Sequence, residues 1–229
     1  MSPGEKIKRV VLLGPSHKVY LDFVATTSCT EWATPLGNLS IDQDAIKDLT
    51  GSPLYRVIDK RHEENEHSLE MHLPYIKKTF PKDVKLLPLM VGELPSEAYE
   101  KYGQSLLKYF QDPETVFIVS TDFCHWGSRF EFTHRFPGTA TISDSIEQLD
   151  RLGMTCIEKH NLKEFTQYHK AYKNTICGRN PLRVLLAVIE AASATEKLET
   201  RFLRYAQSSK IEDDEDDSSV SYASAITTS

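Results

Sequence analysis

The sequence predicts an α/β protein, a single sandwich domain around one mixed central sheet, and three observations carry that reading. Short apolar runs rich in branched residues recur as candidate strands: VVLL (10–13), VKLLPLMV (84–91) and VFIV (116–119). Between them lie stretches with apolar residues at helical spacing, and strands alternating with helices are the signature of α/β folds. Polar chemistry also collects directly after the strands, with Gly14-Pro15-Ser16-His17 behind the first and Ser120 to Trp126 behind the third. Ligands in open α/β sheets sit beyond the carboxyl ends of strands.

Taken in order, residues 8–13 form the first expected strand and end at the Gly-Pro turn. Residues 23–29 (FVATTSC) suit a second, more exposed strand, and residues 32–39 a turn-rich crossing. Ser40-Ile41-Asp42 caps a helix over 43–49, which stops before Gly51 and Pro53. A short strand at 54–58 leads into a dense polar patch, KRHEENEH (60–67), and then SLEMHLP. The strand at 84–91 carries Pro88, which lacks an N–H and suggests an edge, a bulge or the strand's end. Helices are expected over 97–110, 143–159 with Ser143 as cap, 162–172, and 182–198 with Asn180 as N-cap and Pro181 at N1. Residues 201–207 and 220–226 suit closing strands. The acidic run EDDEDD, in a loop at 211–217, reads as a solvated, mobile segment without the alternation and glycine of a calcium loop.

The 229 residues hold 40% hydrophobic and 26% charged residues, ordinary for a chain that buries a core and forms one domain over 1–229. A net charge of −6 excludes a nucleic-acid-binding class, and no basic run addresses a membrane surface. MSPGEKIKR runs into an apolar stretch too short for a signal core or a membrane span. Cys29, Cys124, Cys156 and Cys177 form no CxxC pattern and read as reduced thiols, so a cytoplasmic protein, with a nuclear location also open, is expected.

The candidate site residues follow from this layout. Asp122 and His125 offer a carboxylate and an imidazole that trade protons or help hold a metal, against the alternative of a satisfied structural pair. His17 is either a ligand at a strand end or a turn histidine facing solvent. His67 shares a helical face with Glu70 and stands five residues from His72, so no HExxH zinc motif is present. Cys177 lies just ahead of a helix start and beside Arg179, both of which favour thiolate. Imidazole, thiolate and carboxylate together suit copper, iron or zinc and suit magnesium or calcium poorly. The aromatic, basic stretch 129–139 suits a lid over a pocket or a surface hairpin.

At these residues the chain resembles a known family. GPSH (14–17), EHSLEMHLPY (66–75), STDFCHWG (120–127), NTICGR (174–179), YAQSS (205–209) and DSSVSYAS (217–224) are similar to motifs of the Memo family, in order and over nearly the whole chain. That family is named for mediating ErbB2-driven cell motility. The resemblance implies a fold similar to class III extradiol dioxygenases, and a copper or iron ion bound through two His and one Cys. Carried onto this sequence, His17 and Cys177 match metal ligands, Asp122 and His125 match catalytic positions of the pocket, and His67 matches a histidine near it. It also implies a cytosolic protein with redox and motility signalling roles that binds phosphotyrosine-containing peptides, for which Arg129, Arg135 and Arg179 offer cationic partners.

The chain departs from the pattern in three places. It starts just before the GPSH strand, without the upstream SHAGSWY-like and APHAGY-like segments that supply the other ligand histidine and a core strand. Asn180 stands where a His is common, and the EDDEDD run replaces a different short linker. Three readings stay open: a metal-binding redox protein that extends to a metal-dependent oxidoreductase, a non-catalytic phosphotyrosine adaptor using the same pocket, and a truncated form without metal activity. A Cys in place of the facial-triad carboxylate weighs against the full dioxygenase reading.

Overall fold

The computed structural model describes residues 6–213 and 217–229. The chain divides into two compact units. One takes the described residues up to Thr121 together with Asn180–Ala192, and the other takes Asp122–Arg179 with Ser193–Ser229.

The first unit is built on a seven-stranded mixed sheet. Its strands are β1 (Arg9–Pro15), β2 (Val24–Thr26), β3 (Glu31–Trp32), β4 (Leu39–Ile41), β5 (Tyr55–Val57), β6 (Lys85–Val91) and β7 (Thr115–Val119). The main path runs β3-β4-β6-β1-β7, with β2 joining β5 and β6. β1 is parallel to β6 and β7, whereas β2 runs antiparallel to β6. Val10, Val11, Leu12 and Leu13 are fully buried in succession, as are Leu86 and Leu87. Consecutive burial needs both sheet faces covered, which explains why these strands read as continuous apolar runs. The helices are α1 (Gln43–Thr50), α2 (Lys60–Glu64), α3 (His67–Glu70), α4 (Leu73–Thr79), α5 (Tyr99–Phe110) and, past its first residue, α8 (Arg179–Ala192).

Several expectations shift here for local reasons. β7 pairs with β1 alone among the described residues and is half-buried along its whole length, so the strand read from VFIV is an edge. β2 is buried rather than exposed, since it is hydrogen-bonded on both sides. Pro88 sits in an internal strand. It falls between the two short partners on one side of β6, β4 at Lys85–Leu86 and β2 at Met90–Val91, where no ladder bond is required of its nitrogen. The Pro88 carbonyl takes the Thr26 hydroxyl instead, at 2.9 Å. α8 begins at Arg179, one residue ahead of the expected cap, and ends at Ala192. Asn180 is buried and accepts from the Tyr99 hydroxyl and the Arg183 guanidinium, both at 3.0 Å, so this departure from the family pattern serves packing.

Gly103 on α5 makes a testable point. A Cβ there would lie 2.5 Å from the Ala187 carbonyl oxygen, a backbone atom that cannot swing away. Gly103→Ala gains about 1 kcal/mol of helix propensity. The expected result is nonetheless a net loss of about 1–3 kcal/mol from overpacking, seen as a lower urea midpoint at unchanged slope. A stabilised variant would show that the two helices separate at little cost.

The second unit carries a three-stranded antiparallel sheet, β8-β10-β9, made of β8 (His125–Trp126), β9 (Glu199–Gln207) and β10 (Ser219–Thr228). Its helices are α6 (Ile142–Glu158) and α7 (Leu162–Tyr172). Thr141, not Ser143, caps α6, with Asp144 closing a capping box. Ser143 is buried and donated to by Ile211 N–H, while Ile142 and Ser143 donate backbone N–H groups to Glu212 and Ile211. The start of the acidic loop is therefore docked on the α6 N-terminus rather than mobile. Residues 214–216 of that loop lie outside the described residues.

Candidate functional site

In the first unit, His17 follows β1 and is clamped by one carboxylate. Its backbone N–H donates to Glu66 Oε2 at 2.5 Å, and its Nδ1 lies 2.8 Å from Glu66 Oε1. Glu66 is also the N-cap of α3, accepting the Ser68 N–H at 2.9 Å, and its side chain is 1% exposed. Ser68 in turn donates its hydroxyl to the Pro15 carbonyl, tying α3 to the end of β1. That approach needs Gly14, since a Cβ there would meet Leu69 and the Ser68 hydroxyl within 2.8 Å. Burial alone would raise the Glu66 pKa. The His17 ring, the His17 N–H and the Ser68 N–H together reverse this and hold it at about 2.

An ionised Glu66 only accepts, so Nδ1 carries the proton, and in the neutral form of the His17 ring the lone pair is on Nε2. A carboxylate fixing a histidine through the other ring nitrogen is the usual outer partner of a metal-ligating imidazole. His67 stacks on His17, with ring centroids 4.7 Å apart and planes 16° apart, and its Nδ1 is 3.6 Å from Glu66 Oε1. His17, Glu66 and His67 thus bring ligand atoms within 4.8 Å of one another, a grouping that offers a metal ion three donors. Ring lone pairs lie in the ring plane, so two stacked imidazoles cannot aim at one ion without a ring turning. The geometry therefore favours Glu66 as the orienting partner of His17.

The second unit gathers Asp122, His125 and Cys177. The Asp122 N–H donates to Cys177 Sγ at 3.0 Å. His125 is held by Thr175, which takes its N–H at 2.7 Å and returns a hydroxyl bond to its carbonyl at 2.9 Å. His125 Nδ1 lies 3.0 Å from two carbonyls, those of Phe123 and Thr175. Carbonyls only accept, so Nδ1 holds the proton and Nε2 carries the lone pair in the neutral ring. Nε2 in turn is 3.8 Å from Asp122 Oδ2, an ion pair when the ring is protonated. Phe130 packs edge-on against the His125 ring at 5.2 Å, with the Arg129 guanidinium over Phe130 at 4.6 Å.

Cys124, within the same motif, is fully buried, and burial together with the Asp150 carboxyl pushes its thiol up, so it is an inert core residue. All four cysteines carry free thiols. Sequence reasoning missed Glu66 and Thr175. Glu66 was legible as an N-cap two residues before Ser68. Thr175 acts through a contact 50 residues away and leaves no local signal.

A mixed-sheet α/β protein with imidazole, thiol and carboxylate groups placed after its strands is the class that fold and site define. The fold is similar to the crystal structure of the uncharacterised protein JW3007 from Escherichia coli K12, with a TM-score of 0.51 and 15% identity over 96% of this chain and 86% of that one. A family model described as Memo-like protein matches residues 2–226. The chain is 41% identical to the Caenorhabditis elegans protein memo-1 homolog, over 96% of this chain and 64% of that protein. It is 43% identical to MEMO1 of Danio rerio, over 94% and 74%, and 40% identical to human MEMO1, over 96% and 75%. The chain belongs to the Memo family. It spans about two thirds to three quarters of the length of these relatives.

Proposed function

We propose that this Memo-family chain is a metal-binding, redox-linked protein of the cytoplasm or nucleus that acts in signalling or cell motility, taking copper or iron. His17 and Cys177 are its metal-ligating residues, and Asp122, His125 and His67 handle protons. The observation that carries the reading is the Glu66 clamp on His17, which spends a buried, ionised carboxylate on fixing one tautomer of one imidazole. The donor set fits a borderline or soft ion, since imidazole and thiolate suit copper and iron, and free thiols suit a reducing compartment. When bound, such an ion supplies electron transfer or oxygen chemistry. The protein's own part is to hold His17 in its tautomer, to keep the Cys177 side chain on the Asp122 N–H, and to pass a proton between Asp122 and His125. No helix among the described residues is long and apolar enough to cross a membrane.

The test is anaerobic titration with Cu(I) and Fe(II). We expect one tight equivalent, with affinity falling by about 10- to 100-fold or more in His17→Ala and in Cys177→Ala. Unchanged affinity in both variants would overturn the ligand assignment. A second reading, an adaptor for phosphotyrosine-containing peptides, draws on the exposed Arg129 stacked on Phe130 beside His125, a cation and an aromatic face that suit a phosphoaryl group. Peptide binding that survives chelator and is lost in Arg129→Ala would favour it.

A further inference from the structure

The two long strands of the second unit's sheet end it in different ways. β9 is blunted against pairing with another chain. It carries Glu199, Arg201 and Arg204, and its ladder with β10 skips Leu203 in a bulge opposite Ser224 and Ala225. The Glu158 carboxylate also accepts the Phe202 N–H at 3.0 Å. β10 has none of these devices past Ser221. Residues 222–228 read YASAITT, without a charge, a proline or a glycine, and no residue of β10 is skipped in the ladder.

The register decides which backbone groups of β10 face away from β9. Ser221 does so, since its N–H donates to the Cys124 carbonyl and its carbonyl accepts the Phe123 N–H, both at 2.9 Å. Backbone groups alternate in direction along an antiparallel strand, so Ala223, Ala225 and Thr227 face the same way. β8 pairs only with Ser219 and Val220, and the N–H groups of those three residues take no hydrogen bond among the described residues. Ala225 is exposed. Tyr222 and Ile226, four residues apart and so on one face of the strand, are 46% and 50% exposed. The solvent side of an antiparallel sheet is ordinarily polar.

We propose that this edge pairs with the same edge of a second copy of the chain, antiparallel about a two-fold axis at Ala225. The open window runs from Ala223 to Thr227 and Ala225 is its centre, so the edge is self-complementary. Ala225 lies opposite the partner's Ala225, and Ala223 opposite the partner's Thr227. Each such pair exchanges two backbone bonds, and all three outward residues of each strand enter the ladder. Ile226 then lies diagonal to the partner's Ile226 and the partner's Tyr222, at about 7–8 Å, which gives both exposed side chains apolar neighbours. A second copy is favoured over a charged peptide by charge. The strand offers a charged peptide no ion pair, and self-pairing sets no like charges opposite one another. The surface is independent of the metal reading, because it uses neither His17 nor Cys177.

The experiment is sedimentation equilibrium of the full chain, in chelator and at low salt, from about 1 to 500 μM. A monomer–dimer equilibrium with a Kd of about 10–100 μM is expected, since so short a ladder lies at the small end of protein interfaces. Ala225→Pro removes the outward N–H at the axis and takes no bond from β9, an edge position that accepts proline. It should weaken association by about tenfold or more at an unchanged urea midpoint. Ala225→Lys and Ala225→Glu each set like charges opposite one another across the axis and should associate more weakly than wild type. Their equimolar mixture should associate about tenfold more tightly than either alone, because lysine then faces glutamate. That rescue reads the register directly and covers the case of a poorly folded Ala225→Pro. A chain that stays monomeric to about 500 μM, undiminished association in Ala225→Pro, or a mixture no tighter than its components would overturn the proposal.

Discussion

Asp150→Ala should cost about 3–5 kcal/mol, the largest loss expected of any single substitution in the second unit. Asp150 is fully buried on α6 and gathers the unit's polar interior. It accepts the Cys124 N–H at 3.3 Å, the Asn174 amide at 2.9 Å and the Tyr205 hydroxyl at 3.0 Å, with a further bond from Ser221. Alanine leaves these donors buried together without an acceptor. Asparagine keeps the acceptor toward Cys124 and Asn174 and turns its amide toward Tyr205, whose hydroxyl reaches Ser221 at 3.2 Å. Asp150→Asn should therefore lose less than about 1.5 kcal/mol near neutral pH. The pH dependence separates charge from shape. Burial raises the Asp150 pKa above the ordinary carboxylate range in spite of the four donors. A raised folded pKa means that the folded state holds the proton more tightly, so stability falls as pH rises from the unfolded value through the folded one. Asparagine cannot titrate, so its deficit relative to wild type should be greatest in acid and shrink above that window. Urea unfolding of the three proteins from pH 4 to 8 checks this, and near-identical midpoints for wild type and Asp150→Ala would sink the account.

Glu66→Ala should strike stability and metal binding together. It removes the acceptor of the His17 N–H, the His17 ring and the Ser68 N–H from a site where the carboxylate is 1% exposed. A carboxyl held at about 2, below the usual value near 4.3, stores about 2–3 kcal/mol of stability. The sign is opposite to that of Asp150. A depressed folded pKa contributes stability that is fully present above the unfolded value and is lost as pH falls toward 2. The difference between wild type and Glu66→Ala should thus be largest near neutral pH and close on acidification. Copper affinity should fall by about 10- to 100-fold in Glu66→Ala, because the His17 tautomer is no longer fixed. Glu66→Asp, with a shorter reach, tests position against charge. If it restores stability but not metal affinity, orientation of His17 is what the clamp supplies. Copper affinity untouched by Glu66→Ala would separate the clamp from metal binding altogether.

Much of this protein is written in local sequence. The buried parallel strands β1 and β6 announce themselves as unbroken apolar runs, because a strand covered on both faces has no solvent side to alternate toward. α5, α6 and α7 are legible from their 3.6-residue stripes, and His17, Asp122, His125 and Cys177 stand out as reactive groups placed after strands or ahead of a helix. Motifs spread along the chain point to the Memo family before any contact is known. Other features depended on tertiary structure, since a hydrogen bond across 49 or 50 residues leaves no trace in either neighbourhood. That Glu66 rather than Glu63 clamps His17, that Thr175 sets the His125 ring, and that Pro88 occupies a gap between two partner strands are matters of which backbone meets which.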